Sequence, residues 1–365
     1  PYLNHQEPDT PATLYDPSTP GAIHSNIGRV YIMKWNSQYG WYKKGSFIDG
    51  ETAGDEFGHS VSLNGDGTVL AVGAIRNDDG GASSGHVLVF EWRSQPHPGA
   101  YHKIGHLNGA AVGDNFGESV SLSDDGTIVA IGSQQNDGNG SDSGHVRVYQ
   151  YSSGSWTQLG QDIQGEAAGD FSGISVSLSD DGTIVAIGAR RNDGNGSNSG
   201  HVRVYQLGDL VYGDIFQGVQ LHKLTASDAA ENDQFGVSVA VDGNYGIVAA
   251  PGKDKNDTDT NTGSAYIFNV TTGAQLHILT ASDADGGDLL GIGSVAISGT
   301  KCIVGAYYND DGGSNSGSAY IFNVTTGAQV HKIVASDAAE NDQFGKAVGI
   351  DGNYAIIGAH QNDDN

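Results

Sequence analysis

Cysteine is almost missing from this chain. Cys302 stands alone among 365 residues, which excludes an internal disulfide and leaves a buried strand position as its expected role. Basic residues are scarce as well. Seventeen Lys and Arg against 43 Asp and Glu give a formal charge of −26, a field that repels phosphates. Nucleic acid and anionic membrane are therefore not expected partners, and the field favours cations, basic ligands or simply high solubility. No stretch approaches the roughly 20 apolar residues that span a bilayer, so no membrane insertion is expected. No secretory signal peptide is visible, as expected of a processed or partial chain starting at Pro1. Helical periodicity is missing too.

Glycine is what the chain has in excess, at 56 of 365 residues, yet the apolar residues keep a strict order that a disordered low-complexity chain would lack. Gly58, Gly117, Gly173, Gly236 and Gly291 are each followed 26 or 27 residues later by a glycine that opens an apolar strand: Gly85, Gly144, Gly200, Gly263 and Gly317. A sixth copy begins at Gly345, and its partner would fall beyond Asn365. The missing half is found at the other end, where Gly28-Arg29-Val30-Tyr31-Ile32 reads like Gly144-His145-Val146-Arg147-Val148.

The second copy shows the content of one repeat. Phe116 to Leu122 alternates apolar and polar residues, as a half-buried strand does. Ser123-Asp124-Asp125-Gly126 supplies a tight turn. Thr127 to Gly132 is continuously apolar and reads as a strand buried on both faces. A polar loop leads to a third strand at His145 to Tyr149, and Trp156 to Leu159 forms a fourth. Four short antiparallel strands repeated every 54–63 residues are the pattern of a propeller blade. The residue opening each first strand (Phe57, Phe116, Ser172, Phe235, Leu290, Phe344) is expected to pack between blades.

These residues resemble the FG-GAP repeat family, known from integrin α-subunit heads and common in secreted and surface proteins. The likeness is carried by Phe57-Gly58, Phe116-Gly117, Phe235-Gly236 and Phe344-Gly345, followed by Gly73-Ala74, Gly188-Ala189, Gly305-Ala306 and Gly358-Ala359. It covers residues 24 to 365 and implies an all-β fold: a β-propeller of six four-stranded blades, one of them composite. Residues 1–20 form an extended arm carrying Pro8, Pro11, Pro17 and Pro20. Residues 21–365 form the propeller, with residues 21–50 supplying the last two strands of the final blade. The strands that would close it carry Arg29, Val30, Tyr31, Ile32, Trp41 and Tyr42. Closure within the chain and closure onto a neighbouring molecule, which gives an oligomer or filament, are both open.

Asp-rich loops follow the second strands and carry Asp78, Asp79, Asp137, Asp193, Asp310, Asp311, Asp363 and Asp364. Their clustered oxygens suit Ca2+, and the same residues are ordinary turn formers. The integrin-type calcium loop between strands one and two is absent. Sequons at Asn139, Asn195, Asn256, Asn269 and Asn323 fall in loops or at strand ends and are N-glycosylation candidates, as in an extracellular or cell-surface protein. His86, His145 and His201 share one register of strand three and read as a repeated surface position. The breaks in repetition are the insert from Gly208 to Gln220 and the loop from Lys253 to Asn261. No acid–base set departs from the repeat, so no enzyme is expected. The expected function is a structural or adhesive propeller that self-assembles through its N-terminal arm and hairpin. The alternative is a monomeric, cation-dependent glycan- or protein-binding propeller, with a propeller-scaffold lyase or hydrolase third.

Overall fold

The computed structural model describes residues 27–95, 99–208, 218–256, 258 and 260–362. The expected N-terminal arm, Asp363 and Asp364, and most of the insert after Gly208 lie outside the described residues.

Every described element is a strand. Blade one is built from β5 (Phe57–Leu63), β6 (Val69–Ala74), β7 (His86–Arg93) and β8 (Ala100–Asn108), hydrogen-bonded in that order. Blade two has β9 (Ser119–Leu122), β10 (Ile128–Ser133) and β11 (His145–Ser152), with a fourth strand broken into β12 (Ser155–Gln158) and β13 (Ile163–Gln164). Blade three has β14 (Ser172–Leu178), β15 (Ile184–Ala189), β16 (His201–Gln206) and β17 (Val219–Leu224). Blade four has β18 (Val239–Asp242), β19 (Tyr245–Ala250), β20 (Ser264–Asn269) and β21 (Gln275–Leu279). Blade five has β22 (Val295–Ser298), β23 (Lys301–Ala306), β24 (Ser318–Asn323) and β25 (Gln329–Ile333). The architecture is an all-β, six-bladed propeller whose last blade is divided between the two ends of the sequence.

The blades cohere face to face. Four apolar clusters each join neighbouring whole blades: Val87, Val89 and Ala71 meet Phe116, Leu122 and Ile131, and Ile247, Ala265 and Ile267 meet Leu290, Cys302 and Val304. The second strands of the five whole blades are buried on both faces, as their continuous apolar sequence predicts. Burial pushes the Cys302 thiol up to about 12, so it is an inert strand residue.

Between blades the backbones approach closely where only glycine fits. Gly144 has φ +74° and bridges the backbone of Ser172, and any Cβ there would strike the Ser172 carbonyl. Gly85, Gly200, Gly263 and Gly317 bridge Phe116, Phe235, Leu290 and Phe344 in the same way. First strands are also cross-linked by serines: the Ser60, Ser119 and Ser175 hydroxyls donate to the Gly117, Gly173 and Gly236 carbonyls at 2.7–2.9 Å.

The expected interblade packing holds for Phe57, Phe116, Phe235 and Leu290, all of them buried. In blade three, buried Ser172 leaves room that Arg203 enters, donating to the Ser172 hydroxyl at 3.1 Å and the Gln164 carbonyl at 2.7 Å. Phe171, one residue earlier, is turned to Arg191, whose guanidinium stands 4.6 Å from the ring.

The sixth blade has its first two strands in β26 (Phe344–Asp351) and β27 (Tyr354–Ala359), docked on blade five. Its third and fourth strands correspond to β1 (Arg29–Val30) with β2 (Met33–Asn36), and β3 (Gly40–Lys43) with β4 (Ile48–Asp49). These dock on blade one: Gly28 approaches Phe57 as Gly144 approaches Ser172, and Ile32, Val30 and Ile48 pack with Phe57 and Leu88. Among the described residues no ladder joins β27 to β1 or β2. The halves meet through Trp35 and Tyr354, whose ring centroids lie 6.1 Å apart.

Candidate functional site

Two places depart from the repetition. The first is the seam between β27 and blade one. In β9, Leu122 is 8 % exposed, whereas its counterpart Leu63 in β5 is 46 % exposed and neighbouring Val61 is 54 % exposed. Across the seam Ile356 is 62 % exposed, whereas Ile247 at the same place in β19 is fully buried. Gly73, Gly132, Gly188 and Gly305 each press on a glycine carbonyl of the next blade, but a Cβ on Gly358 would meet only its own partner Ala347.

Of the closure residues, Val30 and Ile32 face blade one. Arg29 pairs with Asp49 at 2.6 Å and lies over the Phe47 ring at 3.6 Å. Tyr31 and Trp41 remain exposed with Trp35, Tyr39 and Phe47, giving the hairpin an aromatic outer face, and Trp35 packs edge-on against Trp41. Tyr42 is half-buried, opposite Lys34 in the β2–β3 ladder.

The second place is the rim of blade one. Strand three starts with His86, strand four ends near His106, the loop after strand two gives Asp79, and Glu51 follows β4. Their ligand atoms all lie within 4.8 Å of one another, the one such group of His, Cys, Asp or Glu among the described residues. His106 Nε2 is 3.1 Å from His86 Nδ1 and 3.3 Å from Asp79 Oδ2, and His86 Nδ1 is 3.8 Å from the same oxygen. His86 is 1 % exposed, and its Nε2 has no hydrogen-bond partner among the described residues. Burial, then the neighbouring His106, lowers the His86 pKa. Lys103 holds Glu51 at 2.6 Å and lowers its pKa.

The three strand-three histidines are a correction to the expected surface position. His86, His145 and His201 are all buried, because each opens the strand beneath the next blade's first strand. Burial, then Arg147, pushes His145 down to about 4. Burial, then Lys223, pushes His201 down to about 3. Neither ring nitrogen of either residue has a hydrogen-bond partner among the described residues.

The loop aspartates mostly serve their own turns. Asp78, Asp137, Asp193 and Asp310 accept from the backbone N–H of Ser83, Asp142, Asn198 and Asn315 at 2.7–2.9 Å. Asp311 pairs with Lys332, and among the described members of the set Asp79 alone joins a cluster of potential ligands. Among the sequons, Asn195 and Asn256 are exposed, whereas Asn269 and Asn323 are half-buried and accept from Thr271 and Thr325 through their side-chain oxygens. The Asn139 amide donates to the Gly165 and Glu166 carbonyls. In the loop after Lys253, that lysine reaches Asp228 and Asp233 at 3.4 Å, tying the loop to the preceding connection.

Sequence reasoning missed one recurring device. Asp55, Asp114, Asp170 and Asp288 are buried and accept from Asn77, Asn136, Asn192 and Asn309 at 2.9–3.2 Å, clamping the approach to strand one onto the loop after strand two. The signal was present, since each of these aspartates follows a glycine in the same place of its repeat.

Strand order, interblade glycines and repeated clamps define a propeller scaffold assembled from tandem repeats. FG-GAP repeats match at residues 49–90, 107–149, 164–205, 219–268, 274–322 and 328–365, and the chain belongs to the FG-GAP repeat family. Comparison with curated proteins gave no match. Propellers of this family are typically non-enzymatic and typical of extracellular or surface proteins. No helix of the described residues is long and apolar enough to cross a membrane.

Proposed function

We propose that this chain is a non-catalytic extracellular propeller that self-associates through its divided blade, the β1–β4 hairpin of one molecule packing on the β26–β27 edge of another. The carrying observation is the pair of apolar lips: Leu63 and Ile356 are exposed where Leu122 and Ile247 are buried, and Val61 and Tyr354 lie exposed beside them. An unpaired edge with apolar flanks recruits a strand of matching pattern, and the hairpin has that pattern. A head-to-tail contact of this kind propagates into a filament unless its symmetry closes.

A disulfide trap tests this reading. With Cys302→Ser in the background, Trp35→Cys and Tyr354→Cys are introduced together, the protein is oxidised, and mass is read by non-reducing electrophoresis and light scattering. Covalent dimers and longer ladders are expected beside the internally cross-linked monomer that the Trp35–Tyr354 contact allows. A product consisting only of monomers cross-linked within themselves overturns self-assembly and leaves a self-closed propeller. The alternative, a calcium-dependent adhesion propeller reading glycans from the Asp137, Asp193 and Asp310 loops, has weaker support because each of these carboxylates already closes its own turn.

A further inference from the structure

We propose that Asp79, His86, His106 and Glu51 form a binding site for a borderline transition-metal dication of the Zn2+ class. A tetrahedral ion with bonds of about 2.0–2.1 Å to imidazole nitrogen and carboxylate oxygen holds its donors roughly 3.3 Å apart. The three contacts among His86, His106 and Asp79, at 3.1, 3.3 and 3.8 Å, outline one face of that tetrahedron before any ion is present. Two imidazoles select against Ca2+ and Mg2+, which take oxygen, and for Zn2+, Co2+, Ni2+ or Cu2+.

The neighbouring blades supply the contrast. The place of His106, opposite Leu88 in the β7–β8 ladder, is taken by Lys223 opposite Arg203 in blade three and by Lys332 opposite Tyr320 in blade five. There a built-in ammonium neutralises the rim carboxylates: Lys223 pairs with Glu166, and Lys332 with Asp283, each at 2.6 Å. In blade two Arg147 does so for Asp162 at 2.8 Å. Blade one has an imidazole at the strand position of those lysines, and its own ammonium, Lys103, reaches Glu51 and not Asp79. Asp79 is left facing two ring nitrogens and no ammonium, a set that a dication completes.

His86 makes this a built site. Its ring is buried under the second blade and cannot swing out, so Nδ1 is held at the cluster while Asp79 and His106 close from the solvent side. Glu51 is the fourth donor and is shared with Lys103, which an ion must displace. Residues from two connections and two strands meet here, so the site is complete only when the hairpin is docked on blade one.

Tag-free, chelator-stripped protein is titrated with Co2+, followed by visible absorption, and with Zn2+, followed by calorimetry. One saturating equivalent with the intense absorption of tetrahedral Co2+ is expected, displaced by Zn2+ and not by Ca2+. Asp79→Asn and His106→Gln, both at partly exposed positions that should not hinder folding, should weaken binding by at least the 10–100-fold, roughly, that loss of an outer-shell partner costs. Lys103→Ala should tighten it by releasing Glu51. Absence of saturable uptake, uptake unaltered in both ligand variants, or a response to Ca2+ alone overturns the site.

Discussion

Trp35 and Tyr354 face each other with ring centroids 6.1 Å apart, joining strands from opposite ends of the sequence that share no ladder. This aromatic contact bridges the seam while the side chains around it stay open. The unpacked seam and the packed junctions therefore respond differently to the same substitution.

Ile356→Ala should change stability by less than about 1 kcal/mol, because the side chain is mostly in water. Ile247→Ala, at the same place in β19 and fully buried, should cost about 2–5 kcal/mol. Urea unfolding of the two variants checks this. Equal losses would mean that the seam is packed in solution.

The Asp–Asn clamp should be worth more than the loop caps. Asp114→Ala leaves the buried Asn136 amide and the Ala111 N–H without their acceptor, and should cost about 1–3 kcal/mol. Asp137→Ala removes one exposed turn acceptor and should cost about 1 kcal/mol or less. Thermal unfolding of both variants at one pH separates them.

Interblade glycines and turn glycines should also part company. Gly154 has φ +85° with open space around it, so Gly154→Ala should cost about 1–2 kcal/mol of backbone strain. Gly144→Ala adds a clash with the Ser172 carbonyl and should exceed that cost or prevent soluble expression. Expression yield and melting temperature check the order.

Acid should destabilise the fold through the buried histidines. His201 faces Glu166, Lys223 and Arg203, and its folded pKa of about 3 lies far below the unfolded value of about 6.5. Below pH 6.5 the unfolded chain takes a proton that the folded chain refuses. This residue's contribution is thus present above that pH and fades as pH falls towards 3. His145, beside Asp162 and Arg147 and pushed down to about 4, acts in the same direction. His201→Asn should flatten the loss of stability between pH 6.5 and 4 by on the order of 2 kcal/mol, read from urea midpoints across that range. An unchanged slope would count against a neutral buried ring.

Much of the fold was legible in the sequence. Ser123-Asp124-Asp125-Gly126 gave its turn, Ile128 to Gly132 its doubly buried strand, and Gly144 the start of the third strand, because each depends on residues adjacent in sequence. His86, His145 and His201 were misread, since alternation along one strand does not tell which blade covers its first residue. The Asp–Asn clamp escaped notice because its partners, such as Asp114 and Asn136, lie in separate connections.

By itself the sequence determined six repeats, their strands and turns, and the family, since short-range apolar order and glycine placement encode them. Only the tertiary structure decided that Glu51, Asp79, His86 and His106 converge, that three histidines are buried, and that the divided blade keeps apolar lips in water. Those outcomes depend on how one blade lies against the next, through contacts between segments far apart in the chain, and no local pattern carries that distance.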